Sequence, residues 1–208
     1  LNVAKMFGKS VKVDVSTYYT LLDNALVRRD FTLNGASEIV YDGELSQVQA
    51  IQNAAQANVY GIQAGVEVKI PSGFRFSTDL NFQKGEEELD NGYKSPSRHA
   101  APFFGISRVG YANSKLDLEV NLQFSDEVAY EDLAEEEKGK KEIYAIDGNG
   151  NPYSPSWYTL NLKSMYKLNE NFTLTAGLEN ITDQRYRPYS SGIVAPGKNF
   201  VLALRAKF

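Results

Sequence analysis

The chain of 208 residues has no cysteine, one histidine and no excess of positive charge. The missing cysteine removes disulfide frameworks, thiol chemistry and thiolate metal sites. A net charge of −4, with no basic patch, gives no electrostatic footprint for nucleic acid. No run of about 18 apolar residues occurs, so no helix of the usual length would cross a membrane. Leu1 to Ser10 lacks the apolar core of a signal peptide. His99 has no clustered cysteine or carboxylate beside it in sequence, and reads as a loop residue. No serine lies in a Gly-x-Ser-x-Gly setting, so nucleophilic catalysis has no candidate and the chain does not read as an enzyme.

What the chain has is alternation. Leu116, Leu118, Val120, Leu122 and Phe124 oppose Asp117, Glu119, Asn121 and Gln123 over 115–125. Period two is the mark of a strand with one apolar face. The pattern predicts eight strands, near 11–25, 58–70, 74–84, 101–111, 115–125, 156–167, 172–181 and the C-terminal 197–208. In the last, Phe200, Leu202, Leu204, Ala206 and Phe208 share a face. Tight connections fall at 71–73, 112–114 and 168–171, and long polar ones at about 26–57, 85–100, 126–155 and 182–197. Short turns on one side, long loops on the other and 12% aromatic residues describe an all-β, antiparallel up-and-down meander, part of a transmembrane β-barrel. A mean hydropathy of −0.38 fits, because only alternate residues would meet lipid. Lipocalin-like barrels and β-sandwiches alternate too, with the apolar face inward; a complete eight-stranded outer-membrane protein with a structural or adhesion role also fits.

Asp117, Glu119, Arg75, Asp79, Glu67, Lys69, Glu179, Arg205 and Lys207 define the polar face, a lumen in a barrel. Tyr19, Tyr60, Tyr111, Trp157, Tyr158, Tyr166, Phe172 and Phe200 lie near strand ends, where amphipathic rings form interfacial girdles. Asp147-Gly148-Asn149-Gly150-Asn151 begins like a calcium loop, but position twelve is Tyr158, and a turn is the simpler reading. Glu135 to Glu142 is a mixed charge run, read as a solvated loop. Arg28, Arg29, Tyr93, Tyr130, Tyr144 and Tyr153 fall in loops, and none is singled out for a ligand.

Leu178-Glu179-Asn180-Ile181-Thr182-Asp183-Gln184-Arg185-Tyr186 resembles the penultimate-strand motif of TonB-dependent outer-membrane receptors. Gly197-Lys198-Asn199-Phe200 and a terminal Phe208 follow at the family's spacing. Asn58 to Glu67 and Tyr18 to Val27 resemble two further strands, although Gln63 stands where the family usually has Glu. The resemblance implies that 1–208 is the C-terminal segment of such a barrel, its plug domain absent, from the outer membrane of a Gram-negative bacterium. The implied partners are outer-membrane lipid, the barrel-assembly machinery reading Phe208 as an assembly signal, TonB acting through the missing plug, and a small nutrient ligand. That ligand would be a ferric siderophore, haem, cobalamin or an oligosaccharide. No cofactor, catalytic residue or metal ligand is implied.

Overall fold

The computed structural model describes residues 1–23, 26–53, 56–88, 93–98 and 100–208. Nine strands follow one another across a single antiparallel sheet: β1 (Asn2–Phe7), β2 (Val11–Leu22), β3 (Ala57–Lys69), β4 (Phe74–Glu88), β5 (Phe104–Ala112), β6 (Leu116–Ser125), β7 (Trp157–Lys167), β8 (Phe172–Glu179) and β9 (Asn199–Ala206). Each pairs with its neighbours in sequence, so the sheet is a meander with β1 and β9 as its edges. A short strand, Lys94–Pro96, adds to the upper end of β4. Among the described residues the helices are a four-residue turn, Glu135–Lys138, and a 3₁₀ turn, Tyr130–Asp132.

The alternation therefore gives the predicted fold with one more strand than expected. β1 is obscured in the sequence because Lys5 interrupts its apolar set. In the sheet Lys5 faces Val13, and its ammonium lies 5.0 Å from the Phe7 ring centroid. The connections at 8–10, 70–73, 113–115 and 168–171 are short and lie at one end; those at 23–56, 89–103, 126–156 and 180–198 are long and lie at the other.

Two short turns use the same device. Asn113 Oδ1 accepts the backbone N–H groups of Lys115 and Leu116, each at 2.9 Å. Asn169 Oδ1 accepts those of Asn171 and Phe172, also at 2.9 Å. These Asx turns satisfy amides that the hairpin leaves over. In the β3–β4 turn, Gly73 has φ +95°, and a Cβ there would lie 2.3 Å from the Ala112 carbonyl oxygen. Only glycine fits both the conformation and the space.

The register aligns every apolar set. Val13, Val66, Thr78, Ser107, Leu122 and Leu160 are laterally paired, as are Phe76, Val109, Val120, Leu162, Leu178 and Phe200. This face is open: Phe76, Phe82, Val109, Leu202 and Leu204 are all exposed, the last two at 61% and 62%. The polar face is the covered one. Asn121 is 2% exposed and Asn161 6%. Burying each exposed ring or branched chain is worth about 1.5–3 kcal/mol, so a face this continuous requires an apolar cover.

That inversion removes the lipocalin and sandwich readings, which place the apolar face inside. Trp157 departs from the expected aromatic girdle. It pairs with Ser125 on the polar face and stacks on Tyr186 at 4.2 Å between centroids. Tyr19 and Tyr60 pair directly on the apolar face, near its long-loop end.

Candidate functional site: the polar face and its loop roof

Charges on the polar face are matched across strands and, for Lys69 and Glu67, along one strand. Arg75 Nη2 lies 2.6 Å from Asp117 and 3.4 Å from Glu119. Arg108 Nη1 lies 2.5 Å from Asp79, and Lys69 pairs with Glu67 at 2.7 Å. Arg108 was not legible as part of this set, because its strand alternates poorly. The sequence-predicted lumen residues of the central strands thus form ion pairs rather than a binding cluster. Glu179 accepts from Asn199 Nδ2 at 3.4 Å, while Arg205 and Lys207 occupy the exposed edge.

Nearer the loops the face turns neutral. Asn161 Nδ2 donates to Asn121 Oδ1 at 2.9 Å, and Asn161 Oδ1 accepts the Asn180 backbone N–H at 2.8 Å. Asn180, with φ +47°, ends β8. Its side chain donates to the carbonyls of Gln184 and Pro196 at 2.8 and 3.1 Å, and accepts from Gln184 N–H at 3.0 Å. Asp183 Oδ1 accepts the Lys198 N–H at 2.7 Å. The residues that resemble the penultimate-strand motif therefore fold the last long loop back onto the sheet. Asparagine suits this role because it tolerates left-handed φ and offers both donor and acceptor.

Across the sheet the register sets a lateral row: Ser16, Gln63, Asn81, Phe104, Ser125, Trp157. One step toward the short turns run Asp14, Gly65, Asp79, Ile106, Gln123 and Thr159. These rows floor a cleft of about 670 Å³ that Tyr189 and Pro188, from the last long loop, help to line. On the loop side Tyr18 lies across Gly61 and donates to Gln83 Oε1 at 2.8 Å. A Cβ on Gly61 would stand 2.5 Å from the Tyr18 hydroxyl, so the close crossing needs glycine.

The loop roof is held by Glu137, which has no solvent exposure. Its Oε1 lies 2.6 Å from Arg98 Nε and 2.7 Å from Lys140 Nζ. Its Oε2 accepts from the hydroxyls of Tyr144 and Ser190. Val128, Leu133 and Tyr144 pack beside it with Tyr130, Ile143 and Tyr189. Burial raises the Glu137 carboxyl, but hydrogen bonds from Lys140 and Tyr144, with the charges of Lys140 and Arg98, outweigh it and hold it below its ordinary value. Burial and the same carboxylate push the Tyr189 phenol up to about 12. The charge run expected to be solvated thus contains the most buried charge of the described residues, and Tyr144 is part of its shell rather than an exposed ligand contact.

The other sequence candidates scatter. Asp147 Oδ1 accepts from Asn149 and Asn151 N–H, each at 2.8 Å, closing the tip of the hairpin formed by Ala145–Ile146 and Pro152–Tyr153. Among the described residues no group of three His, Cys, Asp or Glu is placed to hold a metal. Tyr130 receives the Lys138 ammonium over its ring, and Tyr93 is exposed. Arg28 and Arg29 lie in a strand, Leu26–Asp30, paired with Gln49–Asn53 in the first long loop. His99 and Asn24 lie outside the described residues. Phe208 is fully exposed beyond β9.

A long meander with an open apolar face, a charged and amide-lined inner face and loops gathered at one end is the wall of a transmembrane β-barrel. Residues 4–181 match the family described as TonB dependent receptor-like, beta-barrel, and the chain belongs to that family. Solved structures with the same fold include the copper transporter OprC, at 14% identity and TM-score 0.70 over 97% of this chain. The FrpB iron transporter from Neisseria meningitidis matches the whole chain at 12% identity and TM-score 0.68. A ferric enterobactin receptor, PfeA, from Pseudomonas aeruginosa matches the whole chain at 14% and 0.69. The chain spans 29–30% of the length of these three proteins. No curated protein sequence matches.

Proposed function

We propose that this chain forms part of the barrel wall and outer loop roof of a receptor that imports a scarce nutrient across the outer membrane of a Gram-negative bacterium. The observation that carries the reading is the inverted burial. Asn121 and Asn161 are covered while Leu202, Leu204, Phe76 and Phe82 are open, which suits a lipid-facing exterior and a polar interior. The family supports transport, and the similar structures are named as copper, iron and ferric enterobactin transporters or receptors. On this reading the apolar face contacts outer-membrane lipid, the barrel-assembly machinery inserts the barrel, and TonB supplies energy through a plug. The ligand class is a ferric siderophore, haem, cobalamin or an oligosaccharide.

The test is uptake by cells carrying the complete receptor. Radiolabelled ligands of the four classes are offered to wild-type, receptor-deleted and TonB-deleted strains. Loss of uptake of one class in both deletions supports the reading. Correct outer-membrane insertion with no receptor-dependent uptake of any class would favour a structural wall instead.

A further inference from the structure

Arg185 and Arg187 flank Tyr186 in the last long loop, and neither joins the ion pairs described above. Arg75, Arg98 and Arg108 each meet a carboxylate. Arg185 and Arg187 meet none among the described residues; Arg187 Nη1 donates instead to the Glu142 carbonyl oxygen at 3.0 Å. A single unpaired arginine on a surface is ordinary. These two, however, line one cavity of about 360 Å³ between the loop after β6 and the loop after β8. All of its lining lies within 143–156 and 185–194, so its shape is set by this chain's own loops. The lining holds two guanidiniums and no carboxylate, in a chain with 26 acidic residues against 22 basic ones. The cleft over the sheet is the reverse: its lining holds Asp14 and Asp79 and no cation.

The segment that carries the arginines is anchored on both sides of Arg185. Gln184 Oε1 accepts the Tyr158 backbone N–H at 2.9 Å. The Tyr186 ring stacks on Trp157 at 4.2 Å, and the Tyr186 carbonyl accepts the Ala195 N–H at 2.9 Å. Arg187 is held in turn by Glu142. Donors fixed in advance lower the ordering cost of binding. The opposite loop adds the hydroxyls of Ser154 and Ser156. Ser156 stands two residues before Tyr158, whose half-exposed ring marks the upper end of the apolar face beside Phe124. The cavity therefore opens where the apolar face gives way to the loops.

A guanidinium presents its N–H donors in a rigid fork that matches an oxyanion. Two such forks on one loop, with hydroxyls on the facing loop, surround an anion from more than one side. That suits a tetrahedral oxyanion better than a planar carboxylate. We propose that Arg185 and Arg187 form a phosphate-binding site, taking a phosphate group that is either free or carried on a lipid headgroup. Arg185 and Arg187 supply the charge, and Ser156 supplies a further donor. The site is separate from the cleft over the sheet and is independent of which nutrient is imported.

The experiment uses the complete receptor, refolded in a non-ionic detergent so that cell lipid is removed. Inorganic phosphate, dihexanoyl phosphatidic acid and malonate, a dicarboxylate of similar charge, are titrated by calorimetry against receptor-free micelles as the blank. Saturable binding of the phosphate compounds is expected, weakened about tenfold or more by Arg185→Gln and by Arg187→Gln, the scale of a lost hydrogen bond to a charged group. Arg185→Lys keeps the charge but loses the fork, so its loss should be smaller. Melting temperatures without ligand check folding; Arg185 bonds no protein group among the described residues, so Arg185→Gln should melt with the wild type. Tighter binding of the phosphatidic acid would support the site with a lipid headgroup as its source; equal or tighter binding of inorganic phosphate would support it with a free oxyanion. The proposal is overturned by no saturable binding of either phosphate compound, by binding that both Gln variants leave unchanged, or by malonate binding as tightly as phosphate. None of these three results bears on nutrient uptake.

Discussion

Arg98 Nε in the loop after β4 lies 2.6 Å from Glu137 Oε1 in the loop after β6, and Glu137 Oε2 accepts from Ser190 in the loop after β8. One buried carboxylate therefore ties three of the long loops together above the cleft. Truncating it strands Lys140 and Tyr144, whose hydrogen bonds converge on it.

Replacing Glu137 by Ala should loosen this roof by about 1–3 kcal/mol, the range of charge-assisted hydrogen bonds discounted for the partial exposure of Arg98 and Lys140. Limited proteolysis of the complete receptor should show new cleavage within 126–156, with the melting temperature of the barrel unchanged. Replacing the neighbouring Glu136, which is exposed and 3.7 Å from Arg98, should have little effect.

Acid should act on the same latch. The folded Glu137 carboxyl lies below its ordinary value of 4.5, so the unfolded loop binds the proton more readily. The stabilisation is complete above that ordinary value and is lost as pH falls through the lower folded value. At the alkaline end the Tyr189 phenol, raised to about 12, makes the opposite contribution: stability is complete below its ordinary value of 10.0 and declines as pH rises toward 12. Hydrogen exchange of Leu133 to Lys140 should thus be protected between about pH 5 and 10 and speed up on both sides, after correction for intrinsic rates.

Asn180→Ala should cost about 1–3 kcal/mol, since it removes bonds to Gln184 and Pro196 and places alanine at φ +47°. Asn180→Gly keeps the backbone conformation and should be milder. Thermal unfolding of the two variants in detergent separates the backbone contribution from the hydrogen bonds.

Deleting Phe208 should lower the yield of receptor in the outer membrane of cells with little change in the stability of protein refolded in detergent. The ring is fully exposed past the last strand, so the folded chain gains little from it. Its use as a docking anchor for a partner strand would be felt only during assembly. A normal cellular yield would exclude an assembly role.

The sheet was legible because side-chain alternation is local. Leu116 to Gln123 reads the same in sequence and in space, and the register then follows from tight turns such as that held by Asn113. β1 was hidden by one lysine on its apolar face, and Arg108 by a strand with adjacent phenylalanines. The roof was not legible. Nothing in the charge run itself distinguishes Glu137 from Glu135 and Glu136; its burial comes from Tyr144, seven residues on, and from Arg98 and Ser190, distant in sequence. Trp157 could have been placed, since it is out of phase with Tyr158 and Leu160.

The central claim is that the alternating faces separate lipid from lumen. The present chain has no cysteine, so single cysteines at each position from Leu116 to Ser125 of the complete receptor, in a background freed of other cysteines, provide clean probes. Nitroxide labels at these sites in lipid vesicles report accessibility to oxygen, which partitions into lipid, and to a water-soluble nickel chelate. Collision with oxygen should peak at Leu118, Val120 and Leu122, with minima at Glu119, Asn121 and Gln123, in a strict period of two. An absence of that period, or oxygen maxima on the Asn121 face, would contradict the membrane assignment.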